Sequence, residues 1–165
     1  MTTGLRELGT LVLAGMLLAC SPQAAEQTGG NEAATTAAET HPQSGLAIVP
    51  VTVTTDSGSH IFRTEVAESA EAQRQGMMFR TDMAPDEAMI FPYASADIRS
   101  FWMRNTVLPL DIIFIDESGT IINIEDGVPY NEVSVLSERP AIAVLELAGG
   151  RAEELGIGPG DTVEW

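Results

Sequence analysis

Apolar and polar residues alternate along several short stretches beyond residue 46, a pattern typical of half-buried β-strands. Clusters of Asp, Ser and Gly separate these stretches and predict tight turns. The alternation predicts eight strands, at 48–55, 59–66, 88–93, 98–103, 110–116, 120–124, 141–148 and 162–165. Short strands at close spacing predict a mainly β fold of the α+β class: a small antiparallel β-barrel or barrel-like sheet with one or two short helices.

Two segments between the strands have helical character. Residues 69–75 predict a short helix that begins at Ser69, whose hydroxyl is a suitable cap, and that ends at Gly76. Residues 149–155 predict one or two further helical turns. Segment 110–116 is apolar on both alternating faces, so we expect both faces of that strand to be covered.

The first 19 residues have the pattern of an export signal. The uncharged run 8–19 is shorter than the roughly 20 apolar residues that a membrane-spanning helix needs. It ends at Leu17-Leu18-Ala19-Cys20, which resembles the lipobox of bacterial lipoproteins, where the cysteine becomes the lipid-bearing N-terminus. We therefore expect a signal peptide at 1–19 and a lipid anchor in the membrane through Cys20, on the periplasmic side of the cell envelope. Ser21 after the cysteine favours the outer membrane.

The segment that follows the cysteine contains no large apolar side chain. Such a composition buries too little surface to offset chain entropy and predicts a flexible tether. The expected organisation is a lipidated Cys and disordered tether at 20–45, followed by a single globular domain at 46–165. His41 lies in the predicted tether, where we expect it to be incidental.

Charge and residue usage narrow the possible functions. The chain of 165 residues has 24 acidic side chains against 8 basic ones, all of them Arg, and a formal net charge of −16. Phosphate binding needs basic clusters, so nucleic acid is excluded as a partner. Because Cys20 lies outside the predicted domain and His60 is its only histidine, Cys/His catalysis and multi-His zinc sites are excluded. We expect no cofactor and no metal.

Several motifs follow one another in a fixed order through the domain. They are Gly76-Met77-Met78-Phe79-Arg80, Phe101-Trp102-Met103-Arg104-Asn105-Thr106, the segment 109–116 (PLDIIFID), the segment 144–150 (VLELAGG), Gly156-Ile157 and Gly160-Asp161. In this order they resemble the bacterial and archaeal family called domain of unknown function 192, over about residues 50–165. The resemblance implies a small, mainly β domain that is often exported, and it implies no established activity.

The chain departs from that family's pattern in three places. Ala88 stands where the family has Gly, and Arg104 stands where Lys is common. The cysteine that many members carry before the final long strand is missing, so no thiol-dependent role follows from the resemblance.

Asp111 and Glu146 are carboxylates inside strongly apolar strand patterns. A buried carboxylate must be paired or protonated. The candidate partners are cationic or amide side chains: Arg80, Arg99, Arg104 and Asn105. The pattern favours a buried Arg–carboxylate bridge that stabilises the fold. The functional alternative is a polar pocket in which Arg80 or Arg104 binds an anionic group of a ligand.

Trp102 lies between Phe101 and Met103 and must point away from both if this segment is a strand. We expect Trp102 to pack in the core. An outward Trp102 would instead offer an aromatic platform for a sugar ring or a partner. Five methionines fall in the same third of the chain: Met77, Met78, Met83, Met89 and Met103. Core packing is the expected role of their thioethers, and a Cu(I) site near Trp102 is the alternative.

These observations favour a ligand- or partner-binding module of the bacterial cell envelope over an enzyme. The ligand, an envelope glycan, an anionic small molecule or an envelope protein, is expected near Arg80, Trp102, Arg104, Asn105 and Asp111. One alternative is an envelope-polymer hydrolase that uses Asp111 and Glu146 as a catalytic carboxylate pair. A second alternative is a Cu(I)-handling protein.

Overall fold

The computed structural model describes residues 39–165. The predicted signal peptide, Cys20 and most of the predicted tether lie outside the described residues. The described part forms nine strands and two short helices: β1 Ile48–Thr55, β2 Gly58–Val66, α1 Ala70–Gln75, β3 Glu87–Asp97, β4 Ser100–Phe101, β5 Leu110–Ile115, β6 Ile121–Gly127, β7 Val135–Leu136, β8 Ala141–Ala148, α2 Arg151–Leu155 and β9 Thr162–Glu164. Neither helix is long and apolar enough to cross a membrane.

Seven strands form one barrel-like sheet in the order β6-β5-β8-β3-β2-β1-β9, and β4 pairs with β7 in a separate two-stranded sheet. The large sheet is mixed, because β2 and β3 run parallel while the other neighbours are antiparallel. The predicted mainly β, barrel-like sheet is confirmed, and the β2–β3 pair is the parallel exception to its antiparallel pairing. A parallel pair needs a crossover connection, and α1 with its flanking loops supplies it.

The two edges of the large sheet approach each other without forming a continuous ladder. In β9, Val163 N donates to Gly119 O at 2.8 Å, and Ile121 N, at the start of β6, donates to Asp161 O at 2.8 Å. Gly119 has a φ of 81°, and a Cβ there would lie 2.8 Å from Val163 O. This close backbone contact therefore requires glycine.

Both faces of the sheet are covered by apolar side chains, as the pattern of segment 110–116 predicts. Ile113 and Ile115 of β5 belong to one buried cluster, and Ile112 and Phe114 to a second. The second cluster also contains Phe91 of β3 and Val144 of β8. The core consequently has two layers, one on each side of the central strands.

Helix α1 forms as its sequence predicts. The Ser69 hydroxyl accepts a hydrogen bond from Ala72 N at 3.1 Å, and Gly76 ends the helix with a φ of 47°. The predicted strand 98–103 is shorter in the structure, because only Ser100 and Phe101 pair with β7 before the chain turns. No strand was predicted at the position of the short β7.

The ordered domain extends further toward the N-terminus than residue 46. Glu39–Leu46 forms a tight turn in which His41 N donates to Leu46 O and Gly45 N donates to His41 O, both at 2.8 Å. Ser44 also donates a hydrogen bond to the buried Glu65 carboxylate, and His41 Nδ1 lies 3.6 Å from it. The prediction of a disordered tether was therefore wrong for residues 39–45, and His41 is not incidental.

Candidate functional site

A cavity of about 260 Å³ opens between α1, β3 and the loop after β4. We call it the Glu146 pocket. Its walls carry aromatic and thioether side chains: Met77, Met78, Phe91, Tyr93, Phe101 and Trp102. The polar lining consists of Glu146 and of Gln73, Arg74, Gln75, Ser100 and Thr106. An apolar cavity with a few polar groups is the usual form of a small-ligand site, although drug-sized ligands occupy pockets of about 300–1,000 Å³. This pocket therefore suits a single small group.

Glu146 is the buried acidic group of this pocket. It lies in β8 opposite Met89 of β3 and Ile112 of β5, between apolar strands on both sides. Its Oε2 is completely buried and has no hydrogen-bond partner among residues 39–165. Burial raises the pKa of Glu146 to about 8, so the carboxyl is predominantly neutral at pH 7. An unsatisfied buried polar atom costs about 1–3 kcal/mol, which a ligand would recover by bonding to it.

Tyr93 lines the pocket with Glu146, and Arg99 packs on the Tyr93 ring. The Arg99 guanidinium carbon lies 3.6 Å from the centroid of the Tyr93 ring, and Arg99 Nε donates to Ala141 O at 3.1 Å. Burial raises the pKa of Tyr93, and Glu146 contributes to the rise while Arg99 opposes it. Arg99 is thus held by an aromatic face and a carbonyl, and it forms no ion pair with Glu146 in the described structure.

Trp102 stands at the mouth of the pocket and is 46% exposed. The expectation that it packs in the core was wrong, because β4 ends at Phe101 and the chain turns Trp102 outward. Phe101 instead packs inward, edge-on to Phe91 at 5.0 Å between ring centroids, and Met103 is buried. The exposed Arg104 lies over Trp102, with its guanidinium carbon 5.6 Å from the ring centroid. Asn105 follows on the same exposed turn.

Three residues near the pocket adopt left-handed backbone conformations that favour glycine. Phe79, Asn105 and Tyr130 have φ values of 65°, 55° and 61°. Their loops are bonded together, since Phe79 N donates to Asn105 O at 2.9 Å and Tyr130 N to Thr106 O at 3.0 Å. Phe79 and Tyr130 are 72% and 64% exposed. Strain of this kind costs about 1–3 kcal/mol per residue and is concentrated at functional sites in proteins generally.

Asp111 is separated from this pocket. In the strand register Asp111 pairs with Leu147 and Ile112 pairs with Glu146, so the two carboxylates point to opposite faces of the sheet. Asp111 accepts hydrogen bonds from Gly150 N at 2.8 Å and Ala152 N at 2.7 Å, at the start of α2. Asp111 therefore stabilises a helix start, and the predicted catalytic pair with Glu146 is not formed.

Arg80 also lies away from the Glu146 pocket. It forms a buried ion pair with Glu65, with nitrogen–oxygen distances of 2.6 and 2.8 Å. This pair borders a larger cavity of about 460 Å³ on the other side of α1. The predicted buried Arg–carboxylate bridge thus exists, but its carboxylate is Glu65, not Asp111 or Glu146. Because Glu65 already neutralises Arg80, the larger cavity offers a ligand fewer unpaired polar groups than the smaller cavity does.

The methionines divide between the core and the pocket. Met77, Met89 and Met103 are buried in the second apolar cluster, as core packing predicts. Met77 and Met78 line the Glu146 pocket beside Trp102. Two consecutive thioethers therefore reach the site that the Cu(I) alternative requires.

Of the five predicted ligand-binding residues, Trp102, Arg104 and Asn105 come together at the pocket mouth, whereas Arg80 and Asp111 do not join them. The sequence interpretation did not single out Tyr93, Phe79 or Glu65. A strand signal identified the segments of Tyr93 and Glu65, but only the strand register shows which face each side chain occupies. No local signal marks Phe79 as a left-handed residue, because phenylalanine rarely adopts that conformation.

The DUF192 family profile, described as Uncharacterized ACR, matches residues 51–165. The chain belongs to the DUF192 family. Two solved structures resemble it over most of the described domain. One is a protein of unknown function from Novosphingobium aromaticivorans, which is 51% identical to this chain and has a TM-score of 0.76. The match covers 79% of this chain and 94% of the Novosphingobium chain.

The other is a candidate transcription regulator from Sinorhizobium meliloti, which is 40% identical to this chain and has a TM-score of 0.70. The match covers 72% of this chain and 94% of the Sinorhizobium chain. No curated protein matches the chain. The relatives thus confirm the family and the fold and assign no activity.

Proposed function

We propose that this DUF192 protein is a small-ligand-binding module and that the Glu146 pocket is its binding site. One observation carries the proposal: the buried Oε2 of Glu146 has no partner among residues 39–165 although its side chain lines an open, aromatic-walled cavity. Most buried polar atoms in proteins are hydrogen-bonded, so this carboxyl is suited to a partner from outside the chain, which would approach it through the part of the Glu146 side chain that lines the cavity. The ligand's polar head bonds to Glu146, and its apolar body packs on Trp102.

Other functions have less support. A hydrolase with an Asp111–Glu146 pair is disfavoured because the two side chains occupy opposite faces of the sheet. A DNA-binding role, which the description of the Sinorhizobium protein suggests, is disfavoured by the net charge of −16. Cu(I) is retained as a probe because Met77 and Met78 reach the pocket.

The test is the melting temperature of the full chain against a panel of neutral sugars, peptidoglycan fragments, anionic metabolites, organic amines and Cu(I). A compound present at 100 times its Kd adds about 2.7 kcal/mol of stability. Trp102→Ala is expected to abolish the shift. Trp165→Ala is the matched control, because Trp165 is 47% exposed but does not line the pocket.

A shift that survives Trp102→Ala, or that both substitutions abolish equally, would contradict the proposed site. Absence of any shift across the panel would overturn the small-ligand proposal and favour a protein partner at the exposed aromatic residues around the pocket mouth.

We also propose that the module is held at the cell envelope through a lipid on Cys20. The apolar run 8–19 and the Leu17-Leu18-Ala19-Cys20 motif support this location. Metabolic labelling of cells with an alkyne-tagged fatty acid should tag the protein, and Cys20→Ala should abolish the label. Equal labelling of both proteins would exclude Cys20 as the lipid site.

A further inference from the structure

Building on the proposed function, we infer that the ligand is a small organic ammonium ion and that Glu146 is its counter-ion. The missing partner of Glu146 is the first observation that points to a cation. A buried carboxyl ionises only when a cation or several hydrogen-bond donors stabilise its charged form. The chain supplies neither at Oε2 within residues 39–165, so the complementary charge is expected to come from the ligand.

Two of the arginines near the pocket are held by other groups. Arg80 is paired with Glu65 beyond α1, and Arg99 is held by the Tyr93 ring and the Ala141 carbonyl. Arg74 lines the rim of the pocket with an exposed side chain, and it forms no ion pair with Glu146. No arginine of the described residues therefore neutralises Glu146, and the part of its side chain that lines the pocket is where a cation would approach.

The aromatic side chains in the walls of the pocket favour a cation, whereas the cationic Arg74 in the lining opposes one. Phe91, Tyr93, Phe101 and Trp102 line the pocket, and aromatic faces attract ammonium groups. Trp102 already has one guanidinium over its ring. The net charge of −16 also attracts cations toward the protein surface and repels anions.

Two of the six polar side chains that line the pocket already donate hydrogen bonds to backbone carbonyls. The Gln73 side-chain nitrogen donates to Pro92 O at 3.0 Å, and the Thr106 hydroxyl donates to Arg104 O at 3.3 Å. These bonds occupy two of the polar side chains in the lining. Charge pairing with Glu146 is the strongest interaction that the remaining groups offer.

Binding of such a cation is coupled to proton release. In the empty pocket the Glu146 carboxyl holds its proton at pH 7, because burial raises its pKa to about 8. Tyr93 of β3 and Arg74 of α1 line the same pocket, Arg99 packs on the Tyr93 ring, and β5 presents the apolar Ile112 beside Glu146. On binding, the O–H bond breaks, the proton passes to solvent and the carboxylate pairs with the ammonium group.

The affinity should therefore rise about tenfold per pH unit between pH 6 and 7 and level off above pH 8. Choline is a suitable probe because its quaternary nitrogen does not titrate. Its neutral analogue 3,3-dimethylbutan-1-ol has the same shape with carbon in place of nitrogen. The experiment is isothermal titration of the full chain with each compound at pH 6, 7, 8 and 9.

We expect choline to bind at least roughly tenfold more tightly than the neutral analogue at pH 8, with proton release at pH 7. Glu146→Gln should remove both the preference and the pH dependence. Glu153→Gln, an exposed position on α2, should leave both unchanged.

Equal binding of choline and its neutral analogue, independent of pH, would overturn the inference about ligand class but would leave the binding site intact. A third outcome is that neither compound binds, but another panel compound raises the melting temperature and Trp102→Ala abolishes that rise. This outcome also overturns the ligand class and leaves the binding site intact. If neither compound binds and the whole panel is silent, the ligand class and the proposed function both fail.

Discussion

Replacing Glu146 with glutamine should make this protein more stable at neutral pH. Glutamine has nearly the same shape as protonated glutamate but cannot ionise. Wild-type Glu146 is buried, and its pKa rises from the ordinary value of 4.5 to about 8 in the folded chain. The substitution therefore removes a proton linkage while it leaves the packing of β8 against β3 and β5 almost unchanged.

The direction of the pH effect is set by the number of protons that each state binds. Between pH 4.5 and pH 8 the unfolded chain has released the proton that the folded chain retains, so rising pH favours unfolding. The stability that Glu146 contributes is complete below about pH 4.5 and is lost as the pH rises through about 8. From pH 4.5 to 7 the loss is about 3 kcal/mol, at about 1.4 kcal/mol per pH unit.

The assay is urea unfolding of the wild type and of Glu146→Gln at pH 4, 5, 6, 7 and 8. Other titrating groups cancel when the two free energies of unfolding are subtracted. The difference should be small at pH 4 and about 3 kcal/mol in favour of the variant at pH 7, which corresponds to roughly 10 °C in Tm. Glu153→Gln should show no such trend. A difference that stays constant from pH 4 to 8 would show that Glu146 is solvated or paired in the folded chain and that burial does not raise its pKa.

Three further substitutions test other parts of the structure by urea unfolding. Asp111→Ala should destabilise the chain by about 3 kcal/mol, because one buried and one partly buried backbone N–H group at the start of α2 lose their acceptor; a loss below about 1 kcal/mol would contradict this capping role. Gly149→Ala should cost about 1–3 kcal/mol, because the new Cβ would lie 2.8 Å from Pro109 Cβ, whereas Gly158→Ala, with open space around it, should be close to neutral. Phe79→Gly should add about 1 kcal/mol by relieving the left-handed backbone; a loss of stability would show that the exposed Phe79 ring packs on the domain.

Local patterns were sufficient for most of the secondary structure. The alternation in β1 and β2, the Ser69 cap of α1 and the two apolar faces of β5 follow from neighbouring residues alone. The parallel pairing of β2 with β3 does not follow from neighbouring residues. The helix α1 separates the two strands in the chain, so their pairing depends on contacts between residues that are distant in sequence. The turn at 39–45 was missed because its composition is polar, and Glu65, which holds it, is far along the chain.

The candidate site was only partly predictable for a similar reason. Glu146 is recognisable in the sequence as a carboxylate within an apolar strand, but the sequence does not show which group pairs with it. The acceptor role of Asp111 involves backbone N–H groups, which no side-chain pattern reveals. Whether Asp111 and Glu146 meet depends on the register of β5 against β8, and one residue of offset places them on opposite faces.

The central claim is that a ligand binds at Glu146, and carboxyl ¹³C NMR tests it most directly. Glutamate side-chain carboxyls are labelled in the full chain, and the resonance missing from Glu146→Gln is assigned to Glu146. Spectra are then recorded with and without each panel compound that raises the melting temperature. We expect the Glu146 resonance to shift saturably with every stabilising compound. A compound that stabilises the chain but leaves this resonance unmoved would place the binding site elsewhere and overturn the proposed site.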